Sequence, residues 1–281
     1  MTKFIVITGC STGFGRVTAL HLAKQGWRVF ATVRKETDRA GLLAEATGLG
    51  CAETLTPVLC DITDAAQVAA LGRALAEATP QLDGLVNNAG TAFPAPLELL
   101  SLDELRAQLE INLVGHLAVT QALLPLLKAA HGTIINVSSI GGRLTTPVLG
   151  AYNISKFGLE ALSDVLRVEL APFGVRVVVI EPGGSDTAIW DTSRARATGR
   201  IDVNANGPYA PLIQAIQQFS RNAAAGGFPP QLFADTILKI LKQAHPRSRY
   251  AIPGSVARMI FLRRFIPDSL WDRILRRSLK W

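Results

Sequence analysis

The feature that most constrains the fold is a regular alternation of short apolar runs with longer amphipathic stretches. Runs such as residues 4–8 and 175–180 have no polar face, which is typical of parallel strands that are buried on both sides. Each run is followed by a stretch of helical periodicity, so the chain alternates β then α. This alternation predicts a doubly wound α/β fold: a Rossmann-like parallel sheet with helices on both faces.

The same pattern predicts the individual elements and the domain plan. We expect strands at residues 4–8, 27–33, 54–60, 82–86, 133–137, 175–180 and 249–252. We expect helices at residues 13–25, 64–79, 102–128, 151–170 and 234–243, and another helix that follows the second strand and ends at about residue 47. Residues 1–255 are then one catalytic domain. Residues 182–230 are rich in Gly, Pro, Asn and Ala and are expected to form an irregular substrate cover. Residues 256–281 form a C-terminal extension.

Charge is distributed unevenly along the chain. The net charge is +7, but residues 240–281 alone contain ten basic and two acidic residues. The rest is nearly neutral, which argues against a nucleic-acid-binding domain, and 48% hydrophobic content excludes a disordered chain. Three scattered cysteines and four histidines without acidic partners predict reduced thiols, a cytoplasmic location and no metal site. We expect neither a signal peptide nor a membrane span.

A glycine-rich turn joins the first strand to the first helix. Gly9, Gly13 and Gly15 lie in this turn together with Ser11 and Phe14. Glycines let the backbone turn tightly and let a pyrophosphate approach it. The N–H groups at the start of the following helix favour an anion. The turn therefore predicts a nucleotide site.

Five motifs in order resemble those of short-chain dehydrogenases/reductases. They are T-G-x-x-x-G-x-G at residues 8–15, Asp61 after the third strand, N-N-A-G at residues 87–90, Ser139 with Tyr152 and Lys156, and Pro182-Gly183 with Thr187. The resemblance covers about residues 3–187. Residues 9–11 and 31–34 look most like the hydroxysteroid and retinol dehydrogenase branch. The nucleotide site that the resemblance implies consists of Gly9, Ser11, Gly13, Phe14, Gly15, Arg34, Asp61, Ile62, Asn88, Ala89, Gly90, Tyr152, Lys156, Pro182, Gly183 and Thr187.

The predicted catalytic residues are Tyr152, Lys156, Ser139 and Asn112. Tyr152 and Lys156 lie four apart on a predicted helix and so share a face. We expect the ammonium to lower the tyrosine pKa, so that the phenol can exchange a proton with a carbonyl or alcohol oxygen. Ser139, favoured over the neighbouring Ser138 by its 13-residue spacing to Tyr152, would hold that oxygen. The resemblance adds ribose binding by Lys156 and a water relay at Asn112.

Arg34 favours NADP(H) over NAD(H). It lies at the end of the second strand, where relatives that prefer NAD carry an acid. An arginine there can pair with a 2′-phosphate. Glu36 and Asp38 are the competing observation, since either is close enough to take the place of that acid.

The sequence predicts an oxidoreductase acting on an apolar alcohol, aldehyde or ketone, such as a retinoid, a steroid or a long-chain carbonyl compound. The alternatives are a 3-oxoacyl-thioester reductase and a non-catalytic nucleotide-binding regulator. Family resemblance implies a homo-oligomer. Apolar residues of the cover could line a pocket or pack helices on the body; they are Ile189, Trp190, Tyr209, Ile213, Phe219 and Phe228. The basic amphipathic tail could lie on an anionic membrane or pack on the body.

Overall fold

The predicted doubly wound sheet is confirmed. The computed structural model describes residues 2–185 and 207–281. Its sheet has seven parallel strands in the order β3-β2-β1-β4-β5-β6-β7. The strands are β1 (Phe4–Ile7), β2 (Arg28–Val33), β3 (Leu55–Leu59), β4 (Gly84–Asn87), β5 (Thr133–Val137), β6 (Arg176–Pro182) and β7 (Arg249–Ile252). The strand order reverses between β1 and β4, and ligands bind at such a switch point in this class of sheet.

Helices cover both faces of the sheet. They are α1 (Gly13–Lys24), α2 (Glu36–Gly48), α3 (Ala65–Ala78), α4 (Leu102–Leu109), α5 (Gly115–Ala130), α6 (Gly150–Leu170), α7 (Ala210–Ala225), α8 (Pro230–Lys242), α9 (Gly254–Arg263) and α10 (Asp268–Leu279). Alternate residues of β1 enter different cores. Ile5 and Ile7 pack with α1, α2 and α8, whereas Val6 packs with α3, α5 and α6. A strand that feeds two cores has no polar face, as the sequence pattern predicts.

The long helix predicted at residues 102–128 is interrupted by one π-helical turn, Glu110–Val114, between α4 and α5. Leu102–Ala130 is long and apolar enough to cross a membrane by length and composition. However, it carries the buried polar side chains of Asn112, His116 and Thr120, all of which hydrogen bond inside the fold. We therefore interpret it as a core helix.

One prediction for the cover segment is wrong. Residues 210–225, expected to be irregular, form the 16-residue helix α7. Its residues Leu212, Ile213 and Ile216 are buried against Val148 and against Leu279 of α10. This apolar spacing stabilises a helix once the body supplies a partner surface. Ile189, Trp190 and Thr187 lie outside the described residues.

The C-terminal extension is joined to the body at both of its ends. Helix α9 begins at Gly254, so the predicted boundary at residue 255 falls inside a helix, and Val256 in its first turn is buried. At the other end Leu279 is buried, and the Trp281 ring stacks on Tyr209 with centroids 5.9 Å apart. The stretch between these points leaves large apolar side chains exposed: Met259, Phe261, Leu262, Phe265, Leu270 and Ile274.

Candidate active site

The glycine turn is held against the loop after β4. The Thr8 hydroxyl accepts hydrogen bonds from the N–H groups of Asn88 and Ala89, at 2.9 and 3.0 Å. The Asn88 amide donates to the carbonyls of Thr8 and Gly9, at 2.8 and 3.1 Å. A Cβ on Gly15 would lie 2.3 Å from the Gly9 carbonyl oxygen. These contacts explain why the turn requires a glycine at position 15 and an amide at position 88.

A cleft of about 250 Å³ runs along the carboxyl ends of the strands. It brings together most of the predicted site residues: Gly9, Ser11, Gly13, Phe14, Arg34, Asp61, Ile62, Asn88, Ala89, Gly90, Ser139, Tyr152, Lys156, Pro182 and Gly183. Gly15 and Asn112 lie behind its wall rather than on it. Thr187 is outside the described residues. The cleft therefore joins the glycine turn at one end to the predicted catalytic residues at the other.

Three predicted catalytic side chains meet at the end of β5. Ser139 follows this strand, and its hydroxyl accepts a hydrogen bond from the Gly141 N–H at 3.0 Å. Its hydroxyl also shares a hydrogen bond with the phenol of Tyr152. Lys156, one turn along α6, donates from Nζ to the Val137 carbonyl at 2.7 Å. The Lys156 Nζ lies 5.8 Å from the centroid of the Tyr152 ring.

Burial controls the proton affinities of this group. It raises the pKa of the Tyr152 phenol, against the lowering effect of the hydrogen bond with Ser139. It lowers the pKa of Lys156 to about 8, against the opposing charge of Glu160. The expected lowering of the tyrosine pKa by Lys156 is therefore not found in this structure, because desolvation of the phenolate dominates.

Asn112 lies in the π-helical turn, where its side chain holds the Thr91 main chain. Its Oδ1 accepts from the Thr91 N–H at 2.9 Å, and its Nδ2 donates to the Thr91 carbonyl and the Ser155 hydroxyl at 3.0 and 3.1 Å. Both N–H donors are thus used, so only acceptor groups remain for a water. A Cβ on Gly90 would lie 3.6 Å from Asn112 Oδ1 and 4.0 Å from Lys156 Nζ, so both side chains approach Gly90. π turns are frequent at functional sites.

With this geometry established, the comparisons with known proteins assign the family. The model of the short chain dehydrogenase family matches residues 3–198. The chain belongs to the short-chain dehydrogenase family. Members of this family are oxidoreductases, and the fold of the chain is the one that its sequence predicts.

Three relatives in this family match nearly the whole chain. Uncharacterized oxidoreductase YusZ of Bacillus subtilis is 35% identical over 280 residues, covering 99% of this chain and 98% of the relative. Retinol dehydrogenase 5 of Homo sapiens is 36% identical, covering 97% and 87%. The 17-beta-hydroxysteroid dehydrogenase type 6 of Homo sapiens is 34% identical, covering 98% and 88%. The predicted resemblance to the retinol and hydroxysteroid dehydrogenase branch is confirmed.

Solved structures of the family share the fold. A short-chain dehydrogenase/reductase from Burkholderia phymatum, in complex with NAD, superposes with a TM-score of 0.81 at 24% identity and covers 94% of this chain and 93% of that one. A metagenomic short-chain oxidoreductase in complex with NADP superposes with a TM-score of 0.69 at 25% identity, covering 89% and 96%. A nicotinamide cofactor is therefore common to these dehydrogenases, whereas the choice between its two forms is not.

Some predicted residues occupy different surroundings from those expected in this dehydrogenase. The Phe14 ring stacks on Phe233 with centroids 4.2 Å apart, so it belongs to the core as well as to the cleft. Phe228 is buried near it. The hydroxyl of Ser185, another cleft residue, donates to the Phe228 carbonyl at 3.0 Å. Phe219 is 58% exposed, so it does not line a pocket within the described residues.

Sequence reasoning did not anticipate two supporting features. His116, one turn after Asn112, lies within 2.6 Å of the Ala89 carbonyl oxygen through Nε2, and burial lowers its pKa to about 3. It is therefore neutral and supports the loop after β4. The second feature is a partly buried ionic cluster behind Lys156, which joins four separate parts of the chain through Arg143, Glu160, Asp164, Glu181 and Arg249. No spacing rule links these four parts, so only the fold reveals the cluster.

Proposed function

We propose that the protein is an NADP(H)-dependent oxidoreductase that interconverts an apolar alcohol and its aldehyde or ketone. The observation that carries this proposal is the meeting of Ser139, Tyr152 and Lys156 at one end of the cleft that begins at the glycine turn. A phenol, a hydroxyl and an ammonium around one cavity are the groups that proton exchange with a carbonyl oxygen requires. A binding protein without chemistry has no need of that combination.

The cleft fits a dinucleotide cofactor. At the glycine turn, Thr12 at the N-cap of α1 makes no side-chain capping bond, which leaves first-turn N–H groups for a pyrophosphate. Gly9 and Gly13 have φ of +69° and +58°, a left-handed conformation that favours glycine. The glycine turn therefore has no side chain at these positions to keep a pyrophosphate away. Asp61 and Ile62 would hold the adenine, and Gly90, Lys156, Pro182, Gly183 and Thr187 the nicotinamide end. When bound, the nicotinamide would supply or accept the hydride.

Tyr152 is the proposed acid and base. During reduction its hydroxyl gives a proton to the carbonyl oxygen, and during alcohol oxidation it takes that proton back. Ser139 donates a hydrogen bond to the same oxygen. Lys156 as an ammonium offsets part of the desolvation that raises the pKa of the phenol, and Asn112 holds a water that connects Lys156 to solvent. Ser138 is the rival for the serine role, but its hydroxyl is buried with no hydrogen-bond partner among the described residues.

The preference for NADP(H) rests on Arg34. This exposed residue lines the cleft at the end of β2. Of the two competing acids, Glu36 pairs with Arg39 at 2.8 Å, and neither Glu36 nor Asp38 is among the described residues that line the cleft. An unpaired acid beside the ribose would instead have favoured NAD(H).

The cofactor proposal predicts the effect of Arg34→Ala. Loss of a charged hydrogen bond to a 2′-phosphate is worth about 1.5–3 kcal/mol, so we expect the KM for NADPH to rise roughly tenfold to a hundredfold with the KM for NADH nearly unchanged. Lys35→Ala, at the adjacent exposed position, is the matched control. An unchanged ratio of the two KM values in Arg34→Ala would refute the assignment.

The proposal of an apolar substrate rests on the relatives, which include retinol dehydrogenase 5 and 17-beta-hydroxysteroid dehydrogenase type 6 of Homo sapiens. Oxidation of NADPH with retinaldehyde, a ketosteroid, a long-chain aldehyde and a 3-oxoacyl thioester separates the hypotheses. We expect turnover with one or more of the first three. Turnover confined to the thioester would favour the acyl reductase, and NADPH binding without any turnover would favour the regulator.

We propose that the enzyme is cytoplasmic and lies peripherally on a membrane through α9 and α10. The exposed apolar residues of these helices are accompanied by six exposed cations: Arg258, Arg264, Arg273, Arg276, Arg277 and Lys280. Such a combination suits the surface of an anionic bilayer, where the apolar side chains enter the headgroup region. An apolar substrate would then reach the cleft from the lipid.

A homo-oligomer is the remaining part of the proposal. Ile154, Phe157, Val165 and Val168 are exposed along α6, and Val168 is 72% exposed. An exposed apolar stripe of this length is typical of a protein interface. Sedimentation equilibrium of the full chain without lipid tests it, and a monomer at micromolar concentration would contradict it.

A further inference from the structure

A partly buried ionic cluster lies behind the proposed catalytic residues. It consists of Arg143, Glu160, Asp164, Glu181 and Arg249, which come from four separate parts of the chain. The side chains of Glu160 and Glu181 are only 8% and 5% exposed. Two buried carboxyl groups side by side are costly to fold unless they are paired or protonated, so this cluster calls for an explanation.

The two arginines bridge the carboxyl groups. Arg249 Nε lies 3.0 Å from Glu160 Oε2 and 3.6 Å from Glu181 Oε1. Arg143 Nη1 lies 3.3 Å from Glu181 Oε1 and 3.9 Å from Glu160 Oε2. Asp164 takes part of the positive charge, since its Oδ1 is 2.7 Å from Arg249 Nη2 and 2.7 Å from Arg167 Nη2.

Every member except Arg249 belongs to a segment that carries part of the proposed active site. Glu160 lies four residues after Lys156 on α6, and Glu181 immediately precedes the Pro182-Gly183 turn. Arg143 follows the short turn that Ser139 begins. That turn packs tightly on α6, because a Cβ on Gly142 would lie 3.1 Å from the Lys156 carbonyl oxygen and 3.2 Å from Glu160 Cγ. The cluster therefore fastens three active-site segments to one another and, through Arg249, to β7.

The two buried glutamates of the cluster differ in how readily they ionise. Burial and the charge of Glu160 raise the pKa of Glu181 to about 7, against the opposing effect of Arg143 and Arg249. Oε1 of Glu160 is buried and receives no hydrogen bond from the donors of the described residues. A proton on Glu181 would supply one. The other charged groups nearby are all on α6: Lys156, whose charge interacts with Glu160, and Asp164, which pairs with Arg167.

We propose that Glu160 is a positioning residue that keeps a negative charge one helical turn from Lys156, and that Glu181 carries the proton which lets both carboxyl groups stay buried. Glu160 opposes the loss of the Lys156 proton that burial favours. It thereby preserves the ammonium that Tyr152 needs. The part of this proposal that concerns Glu160 rests on the proposed function, because that function assigns the role of Lys156. The part that concerns the proton on Glu181 does not depend on the proposed function.

Isosteric variants test the two parts separately. Glu181→Gln imitates the protonated carboxyl, so we expect its rate of NADPH-dependent turnover at pH 6 to stay within twofold of that of the unchanged protein. The pH profile of the unchanged protein should have an inflection near pH 7 from the ionisation of Glu181, and this inflection should be absent from Glu181→Gln. Glu160→Gln removes the charge, so we expect the alkaline loss of activity to move to lower pH by roughly one unit. Glu169→Gln, an exposed glutamate on the same helix, is the matched control and should leave the profile unchanged.

Infrared spectroscopy supplies a readout that needs neither turnover nor a known substrate. The protonated carboxyl of Glu181 should give a buried C=O stretching band that titrates near pH 7 and is absent from Glu181→Gln but present in Glu169→Gln. The band can be measured even if Glu160→Gln fails to fold or if no substrate is found. An identical band and an identical pH profile in the unchanged protein and in Glu181→Gln would overturn the proposal.

Discussion

At the scale of single residues, Gly9 is a position in the cleft where the backbone leaves no room for a side chain. Its φ is +69°, and a Cβ there would lie 2.7 Å from the Ala89 Cα. The Gly9 N–H also donates to the Thr32 hydroxyl at 3.2 Å. A methyl group at this position would therefore push the glycine turn away from the loop after β4, which forms the opposite wall of the cofactor cleft.

We predict that Gly9→Ala weakens NADPH binding at least tenfold and lowers stability by about 1–3 kcal/mol, the cost of a left-handed residue with a side chain. Gly50→Ala is the matched control, because Gly50 has the same φ of +69° and a methyl group there would meet nothing within 4 Å. Fluorescence titration and urea unfolding measure the two effects. Equal NADPH affinity in both variants would show that the close approach of Gly9 to Ala89 does not matter for NADPH binding.

The residues of the site were predictable where a short spacing fixes their geometry. The four-residue spacing of Tyr152 and Lys156 defines one helix face, and the glycines mark a turn. The tyrosine pKa was predicted in the wrong direction because its burial depends on the packing of several elements. The second use of Asn112, holding Thr91 across 21 residues, has no local signal either.

At the scale of elements, the strands were predicted well because a two-sided apolar run has few alternatives in a chain of this kind. Helix α7 was missed because its apolar face is short and the surrounding residues are rich in Gly and Pro. Its helical state follows from packing on Val148 and Leu279, which are 131 residues apart. Intrinsic propensity alone decides little for such helices.

The basic residues of α9 and α10 are expected to determine binding to anionic membranes. Arg273→Gln/Arg276→Gln/Arg277→Gln should reduce binding to vesicles containing phosphatidylglycerol about a hundredfold, because each basic residue contributes about 1 kcal/mol near an anionic surface. Binding should also fall at high salt. Arg73→Gln, an exposed arginine on α3, is the control. Co-sedimentation measures it, and equal binding of both variants to neutral and anionic vesicles would contradict a role for the charges.

At the scale of the whole molecule, the topology places the predicted motifs of the described residues at the carboxyl ends of the strands. The glycine turn follows β1, the N-N-A-G segment follows β4, Ser139 follows β5 and the Pro182-Gly183 turn follows β6. Parallel strands bring their carboxyl ends together, so motifs that are distant in sequence converge there. The charge split has a matching explanation: the nearly neutral body contains the cleft, while the basic tail lies outside it.

The most direct test of the account is turnover and NADPH binding by Tyr152→Phe. The phenol oxygen is the only heavy atom removed, so we predict a loss of turnover of roughly 10²–10⁴-fold, the contribution of a positioned acid–base group, with NADPH affinity changed less than threefold. Tyr250→Phe is the matched control, since the Tyr250 hydroxyl contacts Gln243 rather than the cleft. Turnover by Tyr152→Phe within threefold of that of the unchanged protein would contradict the proposed mechanism.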